Sequence, residues 1–404
     1  MTVAQGIVKQ TIIKKQSALG TPATGSGGQI LRRNNSTFQL DRDTFESDEI
    51  VSHQQHTGIG YGQVKTTGKI AGLLSASTYS LLFANLLRAD FAAVSAITTL
   101  SLTIAGAGPY TVTRGTGDFL TGGIKAGDVV RLTGGSLDAA NVAINLLVIS
   151  LTAAALTVTT LNGAALTTEG PIASCTVTVT GKKCAAPLTA HTNDFYTVEE
   201  WYSDISKSET FTDAKVAKAD IGLPSTGNAT VGFDWLGLGR TRGTSQVLTT
   251  PTSETTTSVL TAVNGVVYVN GSAVGNSTGA SLSIDGSLKH GEAIIGSNYA
   301  IDIDRGKIKV SGQFTGLFDS TTIQAFYDAE TPVSFVFIIT DTDEADSAFV
   351  TFTMGRVKIT GDAPDDGEKM IMRTYPFVAE LNGDGGAALA WDKTILTIQD
   401  SQAV

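Results

Sequence analysis

The sequence predicts a mainly β chain in which one β-rich fold occurs twice and a small all-β domain is inserted into the first copy. Short runs rich in Val, Ile and Thr lie between Gly, Asn and Asp along the whole chain, which is the pattern of strands and turns. Lys65, Gly68, Gly72, Leu73 and Thr78 recur as Lys309, Gly312, Gly316, Leu317 and Thr322, a constant offset of 244. A stretch of different character, residues 97–187, interrupts only the first copy. With 404 residues, 42% of them hydrophobic, the chain is long enough for two or three domains.

Residues 1–29 read as an N-terminal arm, because 19–29 (LGTPATGSGGQ) is too rich in Gly, Ser, Thr and Pro for a regular element. Residues 36–40 (STFQL) alternate as a short strand, and 41–63 follow as a long polar loop or extended hairpin. An excursion of that length in a compact protein is usually functional. Residues 64–74 form a strand with Val64, Thr66, Gly68, Ile70 and Gly72 on one face and Lys65, Thr67, Lys69 and Ala71 on the other. Ser75 or Ser77 is placed to cap a helix. Its apolar stripe is Tyr79, Leu82, Phe83, Leu86 and Leu87, and it ends near Asp90.

Within 97–187, six short strands at 100–104, 110–114, 128–133, 144–151, 156–161 and 175–180 suggest a small barrel or sandwich. The apolar stretch 142–161 imitates a membrane span, but Asn145, Ser150 and four threonines interrupt it, and it reads as two strands. Pro187 and the polar residues 189–194 lead back out. Strands at 196–202, 214–223 and 229–235 complete the first copy, 30–96 joined to 188–245. A Gly/Thr/Ser-rich stretch around 237–258, with the linker proper at 246–257, leads to the second copy at 258–404.

The repeat runs without a gap through Asp41/Asp285, Ile50/Ile294 and Ile59/Ile303, and forward to Leu82 and Phe83 against Phe326 and Tyr327. Beyond the insertion, Phe211-Thr212 and Val216 recur as Phe352-Thr353 and Val357 at an offset of 141, and Pro224 as Pro364 at 140. The offset shrinks by about the length of the inserted segment, as a domain present in one copy only requires.

Charge and composition exclude several classes. Lys and Arg number 28 against 38 Asp and Glu, so a net charge of −10 argues against a generic nucleic-acid coat while leaving room for a pore through which DNA slides. The first 16 residues lack the apolar run of a secretory signal. Cys175 and Cys184, with no His or further Cys in metal spacing, read as free thiols made in a reducing cytoplasm. His53 and His56 have a conceivable metal spacing but nothing completes a site. Residues 58–62 (GIGYG) lack the last spacing of a dinucleotide fingerprint. The acidic turns at 341–346 (DTDEAD) and 362–368 lack calcium-loop spacing. The expectation is a protein without enzymatic activity, cofactor or metal.

The residues carry a resemblance. Residues 14–22 (KKQSALGTP), 27–33 (GGQILRR), 44–50 (TFESDEI), 69–78 (KIAGLLSAST), 202–205 (YSDI), 211–216 (FTDAKV) and 223–237 (LPSTGNATVGFDWLG) resemble, in order, the tail tube proteins, or major tail proteins, of long-tailed, siphovirus-type phages. The resemblance implies a β-sandwich-like tube fold with a flanking helix, duplicated here. It implies rings that stack into a hollow tail with a β-barrel lining the lumen. The partners implied are further copies of the chain, the tape-measure protein enclosed in the tube, and the tail terminator and distal tail proteins. Double-stranded DNA passes through without sequence-specific binding, and no membrane is involved. The place implied is the virion tail, assembled in the host bacterial cytoplasm. Two tube folds per chain imply trimeric rings with pseudo-sixfold symmetry.

The long excursions supply the inter-ring contact candidates Asp41, Arg42, Asp43, Glu46, Asp48, Glu49, Asp285 and Glu292. The non-core strand faces supply the lumen-face candidates Lys65, Thr67, Lys69, Lys309, Ser311 and Gln313. A negative lumen would repel DNA phosphates, but the lysines among these candidates leave its sign open. The inserted domain is expected to face outward. Alternative identities are a tandem β-sandwich surface or adhesin-like protein, and the tube of a contractile injection device.

Overall fold

The computed structural model describes residues 3–53, 55–365, 367–368 and 370–403. In the first copy the strands are β1 (Lys9–Lys15), β2 (Asn35–Glu46) and β3 (Ile59–Leu73), followed by α1 (Ser80–Leu87). The inserted strands are β4 (Ile97–Gly106), β5 (Tyr110–Arg114), β6 (Val129–Gly134), β7 (Leu146–Leu151), β8 (Ala155–Thr160) and β9 (Glu169–Val179). Next come β10 (Lys182–Ala185), β11 (Tyr196–Tyr202), β12 (Lys207–Leu223), β13 (Thr230–Gly237) and β14 (Gly239–Gly243). The second copy holds β15 (Gly265–Val269), β16 (Ser277–Asp285), β17 (Leu288–His290), β18 (Ile303–Arg305), β19 (Lys309–Leu317) and α2 (Thr322–Asp328). It ends with β20 (Val333–Thr340), β21 (Phe349–Ile359), β22 (Met372–Ala379) and β23 (Thr397–Asp400).

Two layers enclose one core. The first layer is antiparallel throughout and runs β2-β3-β13-β12-β16-β19-β22-β21, four strands from each copy. The second layer is β1-β11-β12-β14 in copy 1 and β15-β20-β21-β23-β10 in copy 2. Strands β12 and β21 pass from one layer to the other, so all the ladders join into a single 18-stranded sheet. Alternation puts Ile70, Ile221, Phe233, Ile284, Val310 and Phe377 on the inner face of the first layer, against Val198, Phe211, Phe335, Phe337 and Phe352 of the second. All are buried in one cluster that spans both copies, with Phe335 and Phe377 rings 4.8 Å apart.

The expected helix forms, and its five-residue apolar stripe is buried. Neither Ser75 nor Ser77 caps it. Tyr79 occupies the N-cap without a side-chain capping bond, its hydroxyl donating to the Arg32 carbonyl, and Ser75 Oγ is engaged with Thr78 Oγ1. Arg88 at φ 61° ends the helix in the left-handed conformation. Residues 41–63 take the extended-hairpin form, with β2 continuing to Glu46 and β3 starting at Ile59.

The structure departs from the sequence reading at three edges. The N-terminal arm contains β1, which buries Ile12 and Ile13 and pairs with β11 along its whole length. Strand β10, counted within the insertion, pairs with β23 at the end of the chain. The Gly-rich stretch after β13 contains β14, paired with β12. Each is a short polar-looking segment, and the partners of β1 and β10 are distant in sequence.

The insertion closes as a six-stranded barrel, β8-β5-β4-β9-β6-β7, around its own core of Leu102, Val112, Leu132, Val148, Val158 and Val177. The apolar stretch is β7 and β8, and among the described residues no helix is long and apolar enough to cross a membrane. Although inserted in copy 1, the barrel rests on copy 2. Val129 and Leu147 pack on Tyr268, Val336, Ile338 and Phe349, on the outer face of the second layer. Polar contacts fix the joint. Lys183 Nζ lies 2.6 Å from Asp128 and 3.0 Å from Asp392. The Lys125 ammonium donates to the carbonyls of Gly386, Ala387 and Leu389.

Strand order and burial reproduce the repeat. Leu40 and Thr66 pair as Ile284 and Val310 do. The 141 offset holds through Val216 and Val357, both buried. A bulge between Val216 and Lys218 in β12 has no counterpart in β21, so the offset then falls to 140. Ala219 opposite Phe233 therefore corresponds to Ile359 opposite Phe377.

Candidate assembly surfaces

The outward face of the first layer holds all six lumen-face candidates. Lys65, Thr67 and Lys69 alternate with buried Val64, Thr66 and Ile70 on β3, and Lys309, Ser311 and Gln313 project from the matching face of β19. Pairing registers place residues on one face in rows. One row reads Lys69, Asp234, Lys218, Asp285, Lys309 across five successive strands, crossing from copy 1 to copy 2 between Lys218 and Asp285. The charges alternate at every step. Lys69 lies 3.7 Å from Asp234, Lys218 lies 2.9 Å from Asp220, and Lys65 lies 2.9 Å from Asp43. The hydrogen bond to Asp220, with Asp234 and Asp285 adding, holds the Lys218 ammonium above its ordinary pKa, against some desolvation. Each candidate lysine has a carboxylate neighbour, Asp43 for Lys65, Asp234 for Lys69 and Asp285 for Lys309. Such exposed pairs contribute about 0–1 kcal/mol each and act mainly on register and surface potential.

Lys218, Asp220 and Asp234 were not among the candidates. The signal was present, since Lys218 and Asp220 alternate with Ala219 and Ile221, but only the pairing register reveals that they meet Asp285 and Ser283.

The inter-ring candidates divide. Asp41, Arg42, Asp43 and Glu46 lie on β2, while Asp48 and Glu49 lie in the turn beyond it. Arg42 stacks over Tyr61. The described residues of its outer part are largely exposed: Phe45 is 64% exposed, Tyr61 65% and Ile50 fully. Asp285 instead belongs to the charge row, and Glu292 sits on an excursion, 286–306, folded against copy 1. There Ala300 and Ile303 are buried on Leu236 and Leu238, His290 Nε2 lies 3.0 Å from the Gly237 carbonyl, and Val64 N–H donates to the Asn298 carbonyl.

The first layer ends in two open strand edges. Among the described residues, β2 pairs only with β3, and 358–361 face β22 on one side with no strand on the other. Helix α2 is also incompletely covered, with no fully buried residue and Tyr327 38% exposed. The described residues contain no group of three or more His, Cys, Asp or Glu side chains arranged to hold a metal ion. His53 Nδ1 accepts the Gln55 N–H.

A family model described as phage tail tube protein matches residues 3–379. No curated protein matches the chain.

Proposed function

The chain belongs to the phage tail tube protein family, a structural component of the virion tail, and from that premise we propose that three chains close each ring and that the rings stack into the tube. The observation that carries this is the continuity of the first layer across two equivalent folds. Each copy supplies four strands, and β12 of copy 1 pairs with β16 of copy 2 in the way two separate subunits would. Repeating that junction between chains closes the sheet and removes both open edges. Three chains then give a barrel of about 24 strands, with a backbone diameter of at least about 37 Å at about 4.8 Å per strand. That leaves a channel wide enough for the tape-measure protein and afterwards for double-stranded DNA.

The charge row supports a lumen that does not grip. DNA binding strengthens with each phosphate neutralised by a free cation, and these lysines already face aspartates. The barrel sits on the opposite side of the core, which supports its outward placement as three protrusions per ring. The free hairpin supports ring stacking through Asp43, Glu46, Asp48 and Glu49, while Asp41 and Arg42 lie at its base, on the edge of the first layer. The terminal rings would then meet the terminator and distal tail proteins of a siphovirus-type tail assembled in the host cytoplasm. Native mass measurement of isolated rings tests the central claim: three chains are expected, and six would overturn it.

A further inference from the structure

Resting on the ring reading, we propose that neighbouring chains join by antiparallel pairing of β2 with residues 358–361, in the register Lys358–Asp41, Thr360–Gln39. The junction inside the chain supplies the template. There Lys218 pairs with Asp285, Ala219 with Ile284, Asp220 with Ser283 and Ile221 with Leu282. Subtracting 244 carries 282–285 onto 38–41, and adding 140 carries 218–221 onto 358–361. The pairs become Lys358–Asp41, Ile359–Leu40, Thr360–Gln39 and Gly361–Phe38. Both edges are the open ones, so the template assigns each a partner of the right kind.

The chemistry of the mapped residues agrees. Inside the chain Lys218, Asp285 and Lys309 form three consecutive members of the charge row. The mapped row is Lys358, Asp41 and Lys65, with the same alternation, and Asp41 already pairs with Lys65. Lys358 is half-exposed and reaches Glu380 only at 3.7 Å. Core-facing Ile284 and Leu282 map onto Leu40 and Phe38, which are only partly buried in the single chain. A second contact maps independently of the strands. Leu86 at the end of α1 packs on Gly286, its Cδ1 3.2 Å from where a β-carbon would stand. The counterparts are Glu330, in the turn just after α2, and Arg42, both exposed and opposite in charge. An apolar contact within the chain thus becomes an ionic one between chains. A one-residue slip would set core-facing against solvent-facing side chains and lose the whole row.

Disulfide trapping in the full chain tests the register. Ser283 Oγ donates to Asp220 at 2.7 Å, so their counterparts, as Gln39→Cys with Thr360→Cys, should oxidise on assembly. Cys175 and Cys184 are buried and do not compete. Non-reducing gels should show covalent dimer and then trimer as the terminal species, lost on reduction. Thr37→Cys with Thr360→Cys, displaced to the diagonal position about 7–8 Å away, should trap at least tenfold less. Tubes in micrographs with equal or better trapping by the displaced pair, or none by either, overturn the register while leaving the tube reading intact. A ladder continuing to six chains keeps the register and overturns the trimer. No rings from the unmodified chain overturns both. Independently, Asp41→Lys or Lys358→Asp should abolish long tubes and the double variant should restore them. A double variant that is folded by circular dichroism yet no better than the singles counts against the pairing.

Discussion

The excursions 42–62 and 286–306 stand at the same place in two copies of one fold, yet they end differently. The second lies down on copy 1, with Ile303 1% exposed; the first projects, with its counterpart Ile59 54% exposed. The helices repeat the contrast. Phe83 on α1 is 3% exposed, against the Phe233 and Phe352 rings, whereas Tyr327 at the same position of α2 is 38% exposed. In both cases the buried member has the other copy against it, Ile303 through Leu236 and Leu238 and Phe83 through Phe352 in addition to Phe233 of its own copy. The difference lies in whether a neighbour is present in the same chain, not in local sequence preference.

Four experiments break or sharpen this comparison. The largest effect is expected from deleting residues 46–56, which should leave the unfolding temperature of the unassembled chain unchanged and abolish long tubes in negative-stain images. Normal tubes would show that the free hairpin is not a contact. Next, Phe83→Ala should destabilise the chain by about 3–5 kcal/mol in urea unfolding, while Tyr327→Ala should cost less than about 1 kcal/mol. Equal costs would mean that α2 is held as firmly as α1. Ile303→Ala should cost about 2–4 kcal/mol and Ile59→Ala under about 0.5 kcal/mol by the same measurement.

A pH effect concerns Asp400, the last residue of β23, which reaches back to the turn before α1. Burial pushes its carboxyl up to about 6, against the lowering effect of N–H donors from Gln402, Ser77 and Ala403. The folded state therefore binds a proton that the unfolded state releases near 3.8. This group's contribution is full below about pH 4 and declines as pH rises through about 6, by at most about 3 kcal/mol. Asp400→Asn should flatten that part of the stability-against-pH profile. An unchanged slope between pH 4 and 6 would mean the carboxyl is ionised at no cost.

Much of the fold was legible in the residues. Alternation marked the six barrel strands because each has one face toward a local core. The α1 stripe was readable because helical spacing and burial coincide there. The repeat was readable because Lys65 to Thr78 and Lys309 to Thr322 keep their spacing. Strands β1 and β10 were missed because their partners lie about 200 residues away, and β14 because a strand of five residues carries little signal of its own. The candidate surfaces were legible by face but not by neighbour. Lys65, Lys69 and Lys309 could be placed on the outward side, yet their compensation by Asp43, Asp234 and Asp285 needed the register.

The sequence by itself determined the β character, the repeated spacing and which residues of β3 and β19 face outward. Those follow from local periodicity, which the chain expresses within a few residues. Only the tertiary structure decided that the two copies share one core, that the barrel inserted in copy 1 rests on copy 2, and that opposite charges alternate along one row of five strands. Those depend on which strands lie side by side. That choice is made by burial of apolar faces across the whole molecule, where a shift of one residue would turn every buried side chain toward water.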